Sequence, residues 1–152
     1  FEYDGTDWTA GGDYPVSTRA VAACGTQTAA LTGGNEPPNP GPTSLSCDYN
    51  GTAWTVNPTL GTGGYGMTCS GTQASALIFG NVPAATTTQQ WDGSSWAAAS
   101  AMANVRGNAG GGKVSSTATV AFGGDGSPES QTPQKYTEEW NTTVTARTVD
   151  TT

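Results

Sequence analysis

Side chains able to carry out acid–base or metal chemistry are few in this sequence, and they lie far apart. The 152-residue chain has no histidine, so it lacks the commonest acid–base catalyst and the commonest transition-metal ligand. Its one adjacent pair of carboxylates, Glu138 and Glu139, falls in a predicted strand, where neighbouring side chains point to opposite faces. The sequence therefore predicts a protein that is not an enzyme and needs no cofactor.

Metal and phosphate sites are not predicted either. Calcium loops of the Asp-x-Asp-x-Asp-Gly type are absent, and the glycine runs at Gly63-Gly64 and at residues 110–112 open strands instead of phosphate-binding helices. We interpret these glycines as turn residues and predict no bound metal. At most, isolated aspartates could supply a weak cation site: Asp4, Asp7, Asp48, Asp92 and Asp125.

Three cysteines, Cys24, Cys47 and Cys69, cannot all pair within one chain, and none belongs to a C-x-x-C arrangement that would suggest zinc or redox chemistry. Two interpretations stay open. The cysteines are either small buried residues in strands, or two of them form one disulfide between adjacent units.

Composition excludes several classes of partner. With a net charge of −7 and only five basic residues, the chain lacks the clustered Lys and Arg that bind nucleic acid or anionic membranes. It has no apolar run long enough for membrane insertion. The start at Phe1, without Met or a signal-peptide layout, looks processed or truncated.

A short aromatic motif recurs at intervals of roughly 45 residues, the size of one four-stranded unit. Its intact copies are Tyr3-Asp4-Gly5-Thr6-Asp7-Trp8, Tyr49-Asn50-Gly51-Thr52-Ala53-Trp54 and Trp91-Asp92-Gly93-Ser94-Ser95-Trp96, and a degraded copy begins at Trp140. Asp-Gly and Asn-Gly predict tight hairpin turns, because these residues tolerate positive φ. We predict that Trp8, Trp54 and Trp96 are wedges between units, each costing roughly 3–5 kcal/mol when replaced by alanine.

Between the hairpins lie short apolar runs bounded by glycine, which are typical of strands covered on both faces. They end at Gly33-Gly34, Gly80 and Gly123-Gly124. Abundant Ala, Gly, Ser and Thr before them fit inner strands crowded around an axis. The prediction is an all-β fold.

The order Gly-Gly, Tyr or Trp, turn, Trp, Met, Arg resembles the kelch repeat of β-propellers, and the resemblance covers essentially the whole chain. The third unit matches best, through Trp96, Met102, Arg106, Lys113, Phe122, Gly123, Gly124 and Glu139-Trp140-Asn141. The resemblance implies kelch-like blades of four antiparallel strands around a channel, about three and a half in number.

Carried over to this chain, the resemblance implies a single array at 1–152, with the outer hairpin of a partial blade at 1–12 and blades at 13–58, 59–100 and 101–152. First strands would lie near residues 19–24, 65–69 and 106–111. Because a partial ring leaves open edges, other protein chains or missing blades should cover them, and we expect an oligomer. Structural positions would be Trp8, Trp54, Trp96, Tyr49, Trp91, Trp140, Arg19, Arg106, Gly33, Gly34, Gly80, Gly123 and Gly124.

The residue pattern of the repeats is also similar to that of kelch-like arrays of marine bacteriophages. This resemblance implies a virion appendage or an extracellular surface. We therefore expect a structural or recognition module that binds protein or surface glycan through its variable loops. The candidate ligand-binding residues are Asn35, Glu36, Asn81, Asp125 and Ser127.

Two alternatives stay open: a segment of a carbohydrate-active propeller enzyme whose catalytic residues lie in other blades, and an architectural filament subunit that pairs through strand edges. Copper chemistry of the galactose oxidase type is excluded because it requires histidine.

Overall fold

The computed structural model describes residues 1–36, 44–82, 85–112, 115–126, 136–141 and 144–150, and only the backbone of the last two segments. All regular structure in these residues is β-strand, which confirms the predicted all-β class. In the same residues, no helix has the length and apolar character needed to cross a membrane.

The strands form one hairpin and three four-stranded antiparallel sheets, each paired in chain order. The hairpin contains β1 (Glu2–Tyr3) and β2 (Trp8–Thr9). The first sheet contains β3 (Ala22–Thr26), β4 (Ala29–Gly33), β5 (Ser46–Tyr49) and β6 (Trp54–Val56). The second contains β7 (Thr68–Thr72), β8 (Ser75–Phe79), β9 (Thr88–Trp91) and β10 (Trp96–Ala98). The third contains β11 (Gly110–Gly111), β12 (Ala118–Phe122), β13 (Tyr136–Asn141) and β14 (Val144–Asp150).

The first strand of each sheet begins later than the sequence predicts. Arg19, Tyr65 and Arg106 form only isolated bridges, and the strands start at Ala22, Thr68 and Gly110. A backbone reversal separates bridge from strand, because Ala20, Gly66 and Asn108 adopt left-handed φ values of 54°, 60° and 53°. Left-handed residues cannot continue a strand.

The hairpin turns repeat one hydrogen-bonded geometry. In each, the carboxylate or amide oxygen of Asp4, Asn50 or Asp92 accepts hydrogen bonds from the backbone N–H groups two and three residues later, at 2.8–2.9 Å. The glycine after it takes the positive φ, between 89° and 102°. The predicted turns are confirmed, but the Asp and Asn serve as caps for N–H groups instead of positive-φ residues.

The sheets pack face to face through their first strands. β3 and β4 lie against β7, and β7 lies against β11. Residues Thr68 to Gly71 of β7 are consequently buried on both faces, whereas Ala22 and Cys24 of β3 alternate with exposed Ala23 and Gly25. One core cluster fills the space between the first two sheets and a second lies between the second and third sheets, around Phe79 and Met102.

The tryptophan positions differ from one another. Trp96 reaches the preceding sheet, where its indole Nε1–H donates to Ser46 Oγ at 3.1 Å, as expected for a wedge. Trp54 packs edge-on against Tyr14, within its own unit. Trp8 is 69% exposed, and no sheet precedes its hairpin in the described residues, so its wedge role stays a prediction. The most buried is Trp91 at 1%, and the Trp140 side chain lies outside the described part.

Candidate functional site

The predicted loop residues gather at one end of the stacked sheets. Three isolated bridges lie there: Arg19 with Glu36, Tyr65 with Val82, and Gly107 with Asp125. In each unit the second bridge partner stands two residues after a glycine of φ 64–73°, namely Gly34, Gly80 or Gly123. Glu36, Val82 and Asp125 therefore occupy equivalent positions. Ser127 lies outside the described residues.

Glu36 is engaged by Arg19 in a two-point ion pair. The guanidinium Nε and Nη2 each donate to one carboxylate oxygen of Glu36, both at 2.9 Å. These hydrogen bonds lower the pKa of Glu36. Because the pair is exposed, it contributes little to stability, but an incoming ligand for either group must compete with the other.

Two of the candidate ligand residues are internal. Asn35 is 1% exposed and Asn81 is 8% exposed. The side-chain oxygen of Asn81 accepts from the Tyr65 N–H at 3.2 Å, and its amide nitrogen donates to the Gly63 carbonyl at 3.0 Å. Asn81 therefore joins two segments of the framework, whereas the buried side-chain oxygen of Asn35 has no hydrogen-bond partner among the described residues. Asp125 stays exposed and accepts from the Asn108 side-chain amide at 2.9 Å.

Arg19 and Arg106 do not occupy the same position, although the kelch-like order of residues equates them. Gly107, not Arg106, bridges to Asp125, so Arg106 stands one residue before the place that Arg19 takes in the first unit. A one-residue offset reverses the face to which a side chain points. Arg106 is accordingly 2% exposed and donates to the Gly123 carbonyl at 2.5 Å, whereas the Arg19 side chain is 66% exposed.

The two sheet interfaces share a pair of main-chain hydrogen bonds that the sequence did not reveal. Between the first and second sheets, Asn35 N–H donates to the Gly64 carbonyl and Gly66 N–H donates to the Ala20 carbonyl. Between the second and third sheets, Asn81 N–H donates to the Arg106 carbonyl and Asn108 N–H donates to the Gly66 carbonyl. The left-handed residues at 20, 66 and 108 thus form one continuous line across the units.

Within the described residues no further sheet covers either end of the stack. On the β3 end face, Tyr14 hydrogen-bonds to Thr32 and the Gly12 N–H donates to Tyr49, so the exposed part lies around Ala23. The β3 end face carries exposed Ala23 and borders a cavity of about 250 Å³ lined by Ala23, Cys24, Gly25, Thr26 and Ala30. The equivalent residue of β7, Cys69, is buried against the first sheet. The β12 end face carries Phe122, which is 50% exposed.

The residue of the second sheet that is equivalent to Phe122 is covered by the third sheet, and its contacts show what packs against such a face. By strand register Phe122 corresponds to Phe79, which is 1% exposed and packs so closely over Gly111 that a Cβ there would lie 3.0 Å from its ring. Gly111 in turn corresponds to Ala23. At the interface between the second and third sheets, a phenylalanine therefore packs on a small residue. The β12 end face presents the equivalent phenylalanine, Phe122, and the β3 end face presents the equivalent small residue, Ala23.

Among the described side chains, no group of three His, Cys, Asp or Glu residues lies close enough together to hold a metal ion. No family description matches the sequence, and no curated protein is significantly similar to it.

The Asp92 carboxylate is the strongest electrostatic feature of the turns. It accepts from the backbone N–H groups of Ser95 and Ser94 and from both serine hydroxyls, and these hydrogen bonds lower its pKa to about 2. Because this pKa lies below the usual aspartate pKa of 3.8, the stabilisation is fully present above about pH 4 and is lost as pH falls through about 2.

Asp92→Asn should keep most of the turn and remove this pH dependence, because Asn50 makes the same backbone hydrogen bonds in the first sheet. We expect the drop in Tm between pH 4 and pH 2 to be smaller in this variant than in the parent chain. Asp13→Asn, at an exposed position, is the matched control. A carboxyl NMR titration of Asp92 with a midpoint near 4 would contradict the assignment.

Proposed function

We propose that this chain is a non-catalytic structural or recognition module of kelch-like architecture, belonging to a virion appendage or another extracellular surface and binding protein or glycan. The recurring hairpins and the order of glycine, aromatic, Met and Arg residues support the kelch-like assignment. The succession of four-stranded antiparallel sheets is consistent with blades of this kind.

The observation that carries the proposal is the pair of end faces that no further sheet covers in the described residues. Inside the stack, the same positions are buried by a neighbouring sheet and joined by main-chain hydrogen bonds. Repeat units of this kind are stabilised by stacking on their neighbours, so an end unit without a neighbouring sheet presents a face that a further unit can cover. The proposed partners are therefore other protein chains, or further sheets of the same repeat type, that cover these faces.

The loop end offers a second contact region for a glycan or a protein. Arg19 with Glu36 and Asn108 with Asp125 form two exposed polar pairs at equivalent bridges of the first and third sheets. Planar polar groups of this type can make two-point hydrogen bonds to hydroxyl, amide or carboxylate groups. This region is the part of the proposal that concerns recognition.

Sedimentation velocity over a range of protein concentrations tests the end faces. We expect concentration-dependent association that weakens at least about tenfold in Ala23→Lys and in Phe122→Lys, because a buried lysine without a partner opposes association. Both positions are exposed in the described chain, so neither change should prevent folding. Thr55→Lys, on exposed β6, is the control.

The size of the product separates a closed recognition module from a filament. Association that stops at one defined size favours a closed ring, and growth without limit favours the architectural role. A monomer at every concentration would contradict the proposal that the end faces need partners.

A further inference from the structure

Cys24 and Cys69 bring two thiols together across the first sheet interface. Cys24 lies on β3 and Cys69 on β7, and the Cys69 Sγ stands 2.8 Å from the Cys24 Sγ. Both residues belong to the core cluster between these sheets, with exposed fractions of 8% and 3%. Since a disulfide bond measures about 2.05 Å, less than about 1 Å of approach separates the two sulfurs from bonding distance.

We propose that Cys24 and Cys69 are an oxidative modification site, forming a disulfide that links the first sheet to the second in an oxidising environment. The link would join strands that belong to different repeat units. It goes beyond the proposed function and does not depend on it, because it rests only on the position of the two sulfurs.

The oxidant required is a small-molecule disulfide such as oxidised glutathione. One cysteine thiolate attacks a glutathione sulfur, which forms a mixed disulfide and releases one glutathione thiolate that takes up a proton. The second cysteine thiolate then attacks the protein sulfur of that mixed disulfide and releases the second glutathione. In sum, two cysteine thiols are oxidised to one disulfide, and one glutathione disulfide is reduced to two thiols.

Strand register excludes the third cysteine from this reaction in the folded chain. Cys47 of β5 pairs with Thr32, which pairs with Ala23, so these three residues lie on one face of the first sheet. Cys24 pairs with Leu31, which is the next pair along the two strands, so its side chain points to the opposite face of the sheet. A bond between Cys24 and Cys47 would require the first sheet to come apart.

Refolding the full chain in a glutathione redox buffer, followed by intact-mass measurement and non-reducing peptide mapping, tests the site. We expect a loss of about 2 Da and a linked pair of peptides that contain Cys24 and Cys69, with Cys47 alkylated only after unfolding. The oxidised chain should melt about 5–10 °C above the reduced chain, because the link restricts the unfolded state.

Two conservative variants separate this site from unspecific oxidation. Cys47→Ser should form the same link with the same rise in Tm, whereas Cys69→Ser should lose both. A link that involves Cys47 in the parent chain would overturn the proposal. Alkylation of both Cys24 and Cys69 after refolding in the oxidising buffer would overturn it equally, whatever the folding yield of either variant.

Discussion

Replacing Trp91 with alanine is expected to lower the free energy of unfolding by about 3–5 kcal/mol. Trp91 is 1% exposed and lies in the core cluster between the first two sheets. Its indole Nε1–H donates to the Gln73 carbonyl at 2.8 Å, and its ring packs against Trp96 with centroids 5.2 Å apart. The substitution removes this buried ring and leaves the carbonyl without its donor, which urea denaturation followed by circular dichroism would measure.

Two variants locate the origin of this loss. Trp91→Phe keeps an aromatic ring but not the N–H donor, so we expect a smaller loss than for alanine. Trp8→Ala removes the same side chain from a 69% exposed position and should change the free energy of unfolding by less than about 1 kcal/mol. Equal losses at positions 8 and 91 would contradict the difference in burial between the two tryptophans.

Gly25→Ala is expected to destabilise the first sheet by about 2–4 kcal/mol, through backbone strain and steric overlap together. Gly25 has a φ of 102°, and a Cβ there would overlap the Ala29 carbonyl oxygen and lie 3.0 Å from the Ala30 Cα. These atoms belong to the backbone of β4, so they cannot rotate away as a flexible side chain would.

Gly5→Ala separates the two causes, because Gly5 has the same φ of 102° but no atom within 4 Å of its added Cβ. We expect Gly5→Ala to lose only the strain contribution, about 1–2 kcal/mol, and only in the hairpin β1–β2. Parallel urea titrations of the two variants make the comparison. An effect at Gly5 as large as that at Gly25 would show that steric overlap with β4 contributes nothing.

The parts of the fold that could be predicted depend on local sequence. The hairpin turns need a capping Asp or Asn followed by glycine, and these residues stand next to each other in the chain. β5 and β9 end at Tyr49 and Trp91, and β6 and β10 begin at Trp54 and Trp96, because the same predicted turn fixes both ends. For these elements a few adjacent residues determine the structure.

The parts that were wrong or left open depend on contacts between units. Nothing local marks Ala20 as a left-handed residue, so the start of β3 was placed too early. The faces of Arg19 and Arg106 depend on a one-residue difference in register, which an order of residue types does not contain. The meeting of Cys24 and Cys69 requires β3 to pack on β7, so composition and spacing left two interpretations of the cysteines open.

Hydrogen bonds from N–H to C=O along the line of residues 20, 66 and 108 need no particular side chain. Alanine, glycine and asparagine fill the three positions with nearly the same φ. A unit copied by duplication of its coding sequence would therefore arrive with its attachment points already in place, and its loops could change without altering how it joins its neighbours. Such a chain can lengthen or diverge one unit at a time.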